Sequence, residues 1–229
     1  MRFTTIFFDL DDTLYDEVDY CKSGLQAVAQ CLWQSHPVLE AEEIFDAFWT
    51  EFTSGNRGKI FDNALKKLGI SSDKKIMESL IEVYRLHQPS LSLPDDSRAI
   101  LENLSKKYIL ALLTDGYLPA QQLKVAALGI ERYFKSIMYT ESLGREFWKP
   151  SPVGFEKLCA TLESPYEKCV YVADNSKKDF IAPNSLGFGA SIKIARGNRI
   201  HRFRAPSKIA RASHTISSLS QLERLLERL

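Results

Sequence analysis

The chain has 229 residues, 45% of them hydrophobic, and a formal net charge of +1 at pH 7. This length allows one large domain or a domain with an insert, and the hydrophobic content suffices for a sizeable core. The nearly neutral charge gives no reason to expect a nucleic acid or a membrane surface as a partner.

The first predicted element is a buried strand, Ile6-Phe7-Phe8, which runs directly into acidic residues. It starts so close to Met1 that we expect no signal peptide. Because no apolar run reaches about 18 residues, we also expect no spanning helix, and hence a soluble cytoplasmic protein. The four cysteines match no zinc or redox spacing and are expected to be reduced thiols.

The acids that follow this strand are Asp9, Asp11 and Asp12. Buried strands of a parallel sheet end at the edge where ligands bind. Two carboxylates about 4 Å apart repel each other by roughly 4 kcal/mol at an effective dielectric constant of about 20, so raised pKa values or a bound cation must offset the repulsion. All-oxygen ligands of this kind suit Mg²⁺. The alternative is an Asp-rich turn that caps the next element.

Residues 16–92 contain no strand-like apolar run and predict a helical module. Its helices are predicted at Gly24–Trp33, Ala41–Phe52 and Ile60–Leu68, with a fourth that starts at Ser72 or Asp73. A polar, proline-bounded stretch, residues 89–94, connects this module to the rest of the chain.

From Asp95 onwards the pattern alternates between helix and strand, which predicts a parallel sheet flanked by helices. The predicted strands are Ile109–Leu113, Ser136–Tyr139, Cys169–Ala173 and Ala190–Ile194. The predicted helices are Asp95–Lys107, Pro119–Leu128, Pro152–Leu162, a stretch after Asp174, and Ser217–Leu229. We therefore expect an α/β fold whose core domain, residues 1–15 and 93–229, is interrupted by a helical domain, residues 16–92.

Polar side chains stand where the predicted strands end. Asp9 follows the first strand, Thr114 the second, and Asp174 follows the Cys169 strand, with Asp179 shortly after it; Lys149 lies in a polar turn. If the strands are parallel, these groups converge on one edge of the sheet. Several carboxylates, a hydroxyl and an ammonium suit phosphoryl transfer. Taken singly, each residue is better explained as a turn residue, a solvated lysine or a helix cap, and only the combination favours a site.

These residues, in this order, resemble the motifs of the haloacid dehalogenase-like superfamily, specifically its phosphatases with a small helical cap. The four matching segments are Asp9-Leu10-Asp11-Asp12-Thr13, Leu112-Leu113-Thr114, Lys149-Pro150, and Asp174 to Asp179. The resemblance spans essentially the whole chain and implies a Rossmann-like core with an inserted α-helical cap domain. The sequence departs from the family pattern at Ala173, where Gly is usual, and at Asp115, where Asn is common.

The resemblance implies catalytic roles for four residues. Asp9 would attack phosphorus and become an aspartyl phosphate. Asp11 would protonate the leaving oxygen and then activate water. Lys149 would neutralise the phosphoryl group and hold Asp9, and Thr114 would bind a phosphoryl oxygen.

The resemblance also implies Mg²⁺ as the cofactor. Its ligands would be Asp9, the backbone carbonyl of Asp11, and Asp174. Asp179 would act through water or by supporting the ligands from behind.

Two positions discriminate within the family. An acid at Asp11 suits cleavage of a phosphate ester, because an alkoxide leaving group needs a proton. The dehalogenases and the phosphonate-cleaving relatives lack that acid. Thr13 resembles the phosphatases more than the sugar phosphomutases, which often carry Val. The expected function is therefore a Mg²⁺-dependent phosphatase of a small phosphorylated metabolite, such as a nucleotide or sugar phosphate. The alternatives are a phosphomutase of the same fold and a phospho-accepting sensor without turnover.

Substrate choice is expected to lie in the cap and its junctions. The candidates are Tyr15, Asp16, Glu17, Tyr20, Arg57 and Lys59. Arg57 lies in a flexible basic loop and would bind an anionic group of the substrate. The alternative is that this loop is solvated surface, and the same two interpretations apply to Arg145. Asp115 is either a substrate-binding residue or a turn residue. The expected partner is a small-molecule phosphate ester, and the chain is expected to be a monomer or homodimer.

The stretch from Arg196 to Arg211 is strongly basic, and Phe203 is its only aromatic residue. Because grooves for single-stranded nucleic acid combine cations with several aromatics, nucleic acid is an unlikely partner. We interpret the stretch as a solvated surface loop, with an anionic partner or an oligomer contact as the alternative.

Overall fold

The computed structural model describes residues 2–55, 57–200 and 202–229. Asn56 of the predicted cap loop, His201 of the basic stretch and Met1 of the predicted core domain lie outside the described residues. The chain divides into two compact units, one formed by Met1–Val18 with Ser92–Leu229 and the other by Asp19–Leu91. Within these described ranges, no helix combines the length and the apolar character needed to cross a membrane.

Six parallel strands form one sheet in the described part of the first unit, in the order β3-β2-β1-β4-β5-β6. They are β1 Thr5–Phe8, β2 Ile109–Thr114, β3 Ser136–Tyr139, β4 Cys169–Ala173, β5 Ala190–Ile194 and β6 His214–Ile216. This sheet, with its flanking helices, confirms the predicted α/β fold. The strand β1 lies in the middle, where Phe8 pairs with Leu112 on one side and Val172 on the other.

The helices of the described residues are α1 Glu17–Ser35, α2 Ala41–Thr53, α3 Ile60–Lys67, α4 Lys74–Leu86, α5 Asp95–Leu104, α6 Ala120–Leu128, α7 Val153–Thr161, α8 Ile181–Leu186 and α9 Leu222–Leu226. Local sequence explains several of their ends. Asp73 caps α4, because its side chain accepts a hydrogen bond from the Ile76 N–H at 2.8 Å. Gly129 ends α6 with a φ of 64°, a left-handed conformation that suits glycine.

The core of the first unit is aromatic. Phe7, Phe155, Tyr171 and Phe180 are fully buried in one cluster, and the Phe155 and Tyr171 rings lie edge to face with their centroids 4.9 Å apart. Burial of each such side chain stabilises the fold by about 1.5–3 kcal/mol. The cluster fixes β1 and β4 side by side, and with them the residues that follow both strands.

The second unit is helical, as predicted. Its first helix, α1, begins seven residues earlier than the predicted Gly24 start, and one reason is that Asp12 Oδ1 accepts a hydrogen bond from the Glu17 N–H at 2.9 Å. Gly24 lies in the middle of α1 because the Tyr84 ring packs there; a Cβ would come within 2.5 Å of Tyr84 Cε2.

The C-terminal prediction was wrong in two respects. The three-residue strand β6 was missed, since it is too short to show alternation. The predicted helix Ser217–Leu229 is reduced to α9, preceded by a 3₁₀ turn at Leu219–Gln221. The Ser218 side chain accepts from the Ser220 N–H at 3.2 Å, and such local bonds of serine compete with a helix.

Candidate functional site

The carboxyl ends of three adjacent strands bring the predicted residues together. Asp9 directly follows β1, Thr114 is the last residue of β2, and Asp174 directly follows β4. All three are buried, with relative exposures of 6%, 1% and 4%. The convergence expected from the sequence therefore exists in the first unit.

Lys149 is the cation at the centre of this site. Its Nζ lies 2.7 Å from Asp9 Oδ1 and 2.9 Å from Asp179 Oδ1, and it donates to the Tyr171 hydroxyl at 3.1 Å. Although burial alone would lower the pKa of Lys149, Asp179 and Asp9 raise it well above its usual value. The ammonium therefore stays charged and holds two acids that lie far apart in the sequence.

Asp9, Asp174 and Asp179 form a cluster of buried acids. Each offers a carboxylate oxygen, and the three oxygens lie within 4.8 Å of one another. Burial, followed by repulsion from Asp179 and Asp9, raises the pKa of Asp174 to about 9. Burial likewise raises the pKa of Asp9 to about 7, even though the Lys149 ammonium opposes the shift.

A divalent cation fits this cluster. The Oδ2 atom of Asp174 is buried and has no hydrogen-bond partner among the described residues. Buried carboxylates without partners are unfavourable, and hard cations bind carboxylate oxygens. The Asp11 carboxylate is not a member of the cluster, so its predicted metal contact through the backbone carbonyl stays a prediction.

The Asp11 side chain instead contacts α6. Oδ1 accepts hydrogen bonds from Lys124 Nζ at 2.8 Å and from the Tyr15 hydroxyl at 2.5 Å. Oδ2 accepts from Gln121 Nε2 at 2.9 Å. Burial alone would raise the pKa of Asp11, but the Lys124 ammonium and these hydrogen bonds hold it below its usual value.

Asp115 is buried and bonded through both carboxylate oxygens. Oδ1 accepts from Thr140 Oγ1 at 2.9 Å and from the Lys149 N–H at 3.1 Å, while Oδ2 accepts from Lys178 Nζ at 2.6 Å. Burial would raise the pKa of Asp115, but Lys149 and Lys178 lower it. This geometry shows a residue that orients the Lys149 turn; its contact with substrate stays a prediction.

Residues 196–200, which we call the basic strap, attach to the turn after β1. Arg196 Nε donates to the Thr13 carbonyl at 3.0 Å, and its guanidinium pairs with Asp96 at 3.2 Å. The Ile200 N–H donates to Asp12 Oδ2. Because the Arg196 side chain is only 11% exposed, the interpretation of this stretch as a solvated loop was wrong at its start. Beyond it, Arg202 and Arg204 are exposed as expected.

The remaining candidates for substrate contact are dispersed. Tyr15 is fully buried, and burial together with Asp11 raises the pKa of Glu17 to about 8. Arg145 is exposed and lies over the Tyr117 ring, 4.4 Å from its centroid.

Arg57 belongs to the second unit, where its guanidinium lies over the Phe52 ring, 4.9 Å from the ring centroid. Asp16 accepts from Asn198 of the basic strap, and Tyr20 and Lys59 belong to the second unit.

Sequence reasoning missed several residues that contact the predicted ones. They are Gln121, Lys124, Tyr171, Lys178 and Arg196. The sequence did contain a signal for Gln121 and Lys124, namely their spacing along a predicted helix. On α6 the buried positions Gln121, Lys124, Val125 and Leu128 follow helical spacing, so two polar residues occupy a face that should be apolar.

Comparisons with known proteins identify phosphatases among the relatives of this chain. The chain is 25% identical over 240 residues to N-acylneuraminate-9-phosphatase of Mus musculus, covering 99% of this chain and 94% of that protein. It is also 25% identical over 230 residues to glyceraldehyde 3-phosphate phosphatase of Methanocaldococcus jannaschii, covering 98% and 97%. The crystal structure of the putative HAD-hydrolase YfnB from Bacillus subtilis shares the fold, with a TM-score of 0.68 at 20% identity over 99% of both chains.

The family itself is settled by a match to its sequence model. Residues 3–187 match the model of the haloacid dehalogenase-like hydrolases, a range that includes every segment on which the resemblance was based. With the acids, the lysine and the threonine gathered at the ends of the expected strands, the chain belongs to the haloacid dehalogenase-like hydrolases and is an enzyme of that family.

Proposed function

We propose that this enzyme is a phosphomonoesterase that hydrolyses a small phosphorylated metabolite through an aspartyl phosphate on Asp9. The observation that carries the proposal is the position of the Lys149 ammonium, 2.7 Å from Asp9 Oδ1 and buried at the strand ends. It leaves the second oxygen of Asp9 for attack on phosphorus. It also offers positive charge where phosphoryl oxygens would gather.

The named relatives support an ester of phosphate as the substrate. One is named for a phosphorylated acylneuraminate and another for glyceraldehyde 3-phosphate. These compounds differ in size and chemistry, so the class proposed here is a small organic phosphate, such as a nucleotide or sugar phosphate. An ester oxygen needs a proton on departure, and Asp11 is the acid assigned to supply it.

The reaction has two steps. In the first, an Asp9 oxygen forms a bond to phosphorus, the ester P–O bond breaks, and the leaving oxygen takes a proton from Asp11. Asp11 must take up this proton when the substrate binds, because its pKa lies below the usual value in the structure. In the second, Asp11 takes a proton from water as the water oxygen attacks phosphorus, which releases phosphate and restores Asp9. Thr114, 1% exposed at the end of β2, donates its hydroxyl to a phosphoryl oxygen.

The proposed cofactor is Mg²⁺. Asp9, Asp174 and the backbone carbonyl of Asp11 would hold it, with Asp179 supporting from behind. The orphaned Oδ2 of Asp174 supports this assignment. When bound, the ion supplies positive charge to the phosphoryl oxygens.

The domain assignment is also a proposal. We assign residues 1–15 and 93–229 to the catalytic core and residues 16–92 to a cap that selects the substrate. The helical character of Asp19–Leu91 supports it. In this proposal Arg57 binds an anionic group of the substrate, and Asp115 borders the phosphoryl site.

The test is phosphate release from a panel of phosphorylated metabolites, with Mg²⁺ or with EDTA. We expect metal-dependent release from one compound class well above the rest. Asp9→Asn should lower turnover by roughly 10⁴-fold or more, because the covalent nucleophile is lost. The matched control is Asp46→Asn, at an exposed position of α2.

Three outcomes would contradict the proposal. Substantial activity in Asp9→Asn would remove Asp9 as the nucleophile. An isomerised product without free phosphate would favour a phosphomutase. A long-lived aspartyl phosphate without turnover would favour a phospho-accepting sensor. Circular dichroism of each variant verifies that the fold is intact.

A further inference from the structure

Two polar side chains of α6 face the interior. Gln121 is 2% exposed and Lys124 is 4% exposed, and they lie one helical turn apart. Burying an ammonium and an amide is unfavourable unless both are hydrogen-bonded, whereas apolar side chains would fill the same volume without that cost. Packing alone therefore does not account for them.

Both side chains bind the same carboxylate from different sides. Lys124 Nζ lies 2.8 Å from Asp11 Oδ1, and Gln121 Nε2 lies 2.9 Å from Asp11 Oδ2. Together they fix the two oxygens and hence the rotation of the carboxylate plane. Asp11 comes from the turn after β1, so α6 supplies its orientation from a different part of the chain.

Gln121 also binds the neighbouring strand end. The same Nε2 lies 2.6 Å from Thr114 Oγ1 and 3.0 Å from the Asp115 carbonyl oxygen, so its two hydrogens are shared among three acceptors, one of them Asp11 Oδ2. The Thr114 oxygen accepts from Gln121, and its hydroxyl donates a long hydrogen bond to the Asp115 carbonyl at 3.5 Å, which a phosphoryl oxygen would replace. One amide nitrogen thus sets the distance between Asp11 and the Thr114 hydroxyl.

The turn before α6 is shaped around this side chain. Gly116 has a φ of 143°, and a Cβ there would lie 2.7 Å from Gln121 Cδ. Only glycine tolerates both the backbone conformation and the close approach. The absence of a side chain at Gly116 therefore leaves space for the Gln121 side chain, which contacts Asp11 and Thr114.

We propose that Gln121 and Lys124 are positioning residues that hold the Asp11 carboxylate at a fixed place beside the Thr114 hydroxyl. This inference rests on the proposed function, in which Asp11 transfers the proton and Thr114 binds the phosphoryl group. A displacement of about 1 Å in such an arrangement can lower the rate about 100-fold. Their contacts are with the side chains of Asp11 and Thr114, and we infer that they act on the reaction through these two residues.

The test compares leaving groups in Lys124→Met and Gln121→Leu. The kcat/KM value reports the steps up to departure of the leaving group, which is where Asp11 gives its proton. For an alkyl phosphate we expect kcat/KM to fall about 100-fold in Lys124→Met. For p-nitrophenyl phosphate, whose leaving group needs no proton, the fall should be less than about 3-fold, and this retained activity also reports a folded protein.

Two matched controls make the same types of substitution at exposed positions, away from Asp11. Gln122→Leu changes the exposed neighbour of Gln121 on the same helix, and Lys135→Met changes an exposed lysine. Both should leave the two kcat/KM values unchanged. An equal loss with both esters in Lys124→Met, or no loss with either, would overturn the inference.

A double variant tests whether Lys124 acts through Asp11. In the Asp11→Asn background the acid is already lost, so adding Lys124→Met should not lower kcat/KM for the alkyl ester further. A further loss of about 10-fold would mean that Lys124 acts elsewhere, which overturns the inference.

Crystal structures of the two single variants give a readout that needs no turnover. A shifted Asp11 carboxylate supports the inference, and an unmoved one overturns it. If the wild-type protein hydrolyses neither ester, the proposed function fails, and these structures still decide whether Gln121 and Lys124 position Asp11.

Discussion

Burial and the charges of neighbouring acids both raise the pKa of Asp174. Asp174 follows β4, is 4% exposed, and faces two further acids. Its pKa of about 9 means that, without a cation, the folded protein retains a proton that the unfolded chain releases near its ordinary value of 3.8. The folded state therefore loses stability relative to the unfolded state as the pH rises between these two values.

Asp174→Asn should remove this pH dependence. In the presence of a chelator at pH 8, we expect the variant to be more stable than the wild type by about 1–3 kcal/mol, because the neutral amide needs no proton uptake on folding, whereas the buried Asp174 carboxyl does. Below pH 4 the two proteins should differ little. The measurement is urea unfolding at several pH values, with Asp46→Asn as the control.

A variant that is less stable than the wild type at pH 8 would show that Asp174 is satisfied in the metal-free protein. The expected gain in stability accompanies a loss of function, since Asp174 is a proposed metal ligand. Such an exchange between stability and activity is common where a site concentrates like charges.

At this scale the sequence predicted the residues that follow strands and missed those inside helices. Asp9, Thr114 and Asp174 stand directly after apolar runs, so their positions follow from the parallel sheet. Lys124 shares the helical spacing of the apolar positions Val125 and Leu128, which places it on the buried face of α6. The spacing does not name its partner, because Asp11 comes from a distant part of the sequence.

At the scale of elements, the basic strap joins two parts of the first unit. Arg196 leaves the end of β5 and binds both the Thr13 carbonyl and the start of α5, where it also donates to Ser97 Oγ at 2.6 Å. Burial would raise the pKa of Asp96, but the Arg196 guanidinium lowers it. One side chain thus fixes the turn that carries Asp11.

Arg196→Ala should loosen this turn. We expect the free energy of unfolding to fall by roughly 1–3 kcal/mol, since a hydrogen-bonded, mostly buried guanidinium is lost. Chemical denaturation measures the change, and Arg204→Ala, at an exposed position of the same basic stretch, is the control. Equal stabilities of the two variants would mean that the strap contributes nothing to the fold.

The elements themselves were predicted unevenly for physical reasons. The strands β1, β2 and β4 are apolar runs buried on both faces, so composition alone identifies them. The edge strand β6 has three residues and no such signal. The basic strap was misread because its acceptors, Thr13 and Asp96, come from distant parts of the sequence, and local composition cannot report them.

At the scale of the whole molecule, the acidic cluster links distant parts of the chain. Asp9 comes from the first strand and Asp174 from the fourth, so their oxygens meet only in the folded state. A cation that binds this cluster binds the native protein and not the unfolded chain. Binding is then directly coupled to global stability.

Addition of Mg²⁺ should therefore raise the midpoint of thermal unfolding. At a concentration of about 100 times the dissociation constant, the expected stabilisation is about 2.7 kcal/mol. Asp174→Asn should show little of this effect, and EDTA should reverse it. Differential scanning fluorimetry measures the shift, with NaCl at matched ionic strength as the control; an equal shift with NaCl would exclude a specific site.

The central position of β1 has a consequence for synthesis of the chain on the ribosome. Its two neighbours, β2 and β4, are translated after the helical unit has emerged, and Val172 is the last partner of Phe8 to appear. At roughly 5–20 residues per second, about 10–30 s separate Phe8 from Val172. Until β2 and then β4 have been translated, this apolar strand lacks at least one of its two sheet partners, which makes it a natural target for chaperones in the nascent chain.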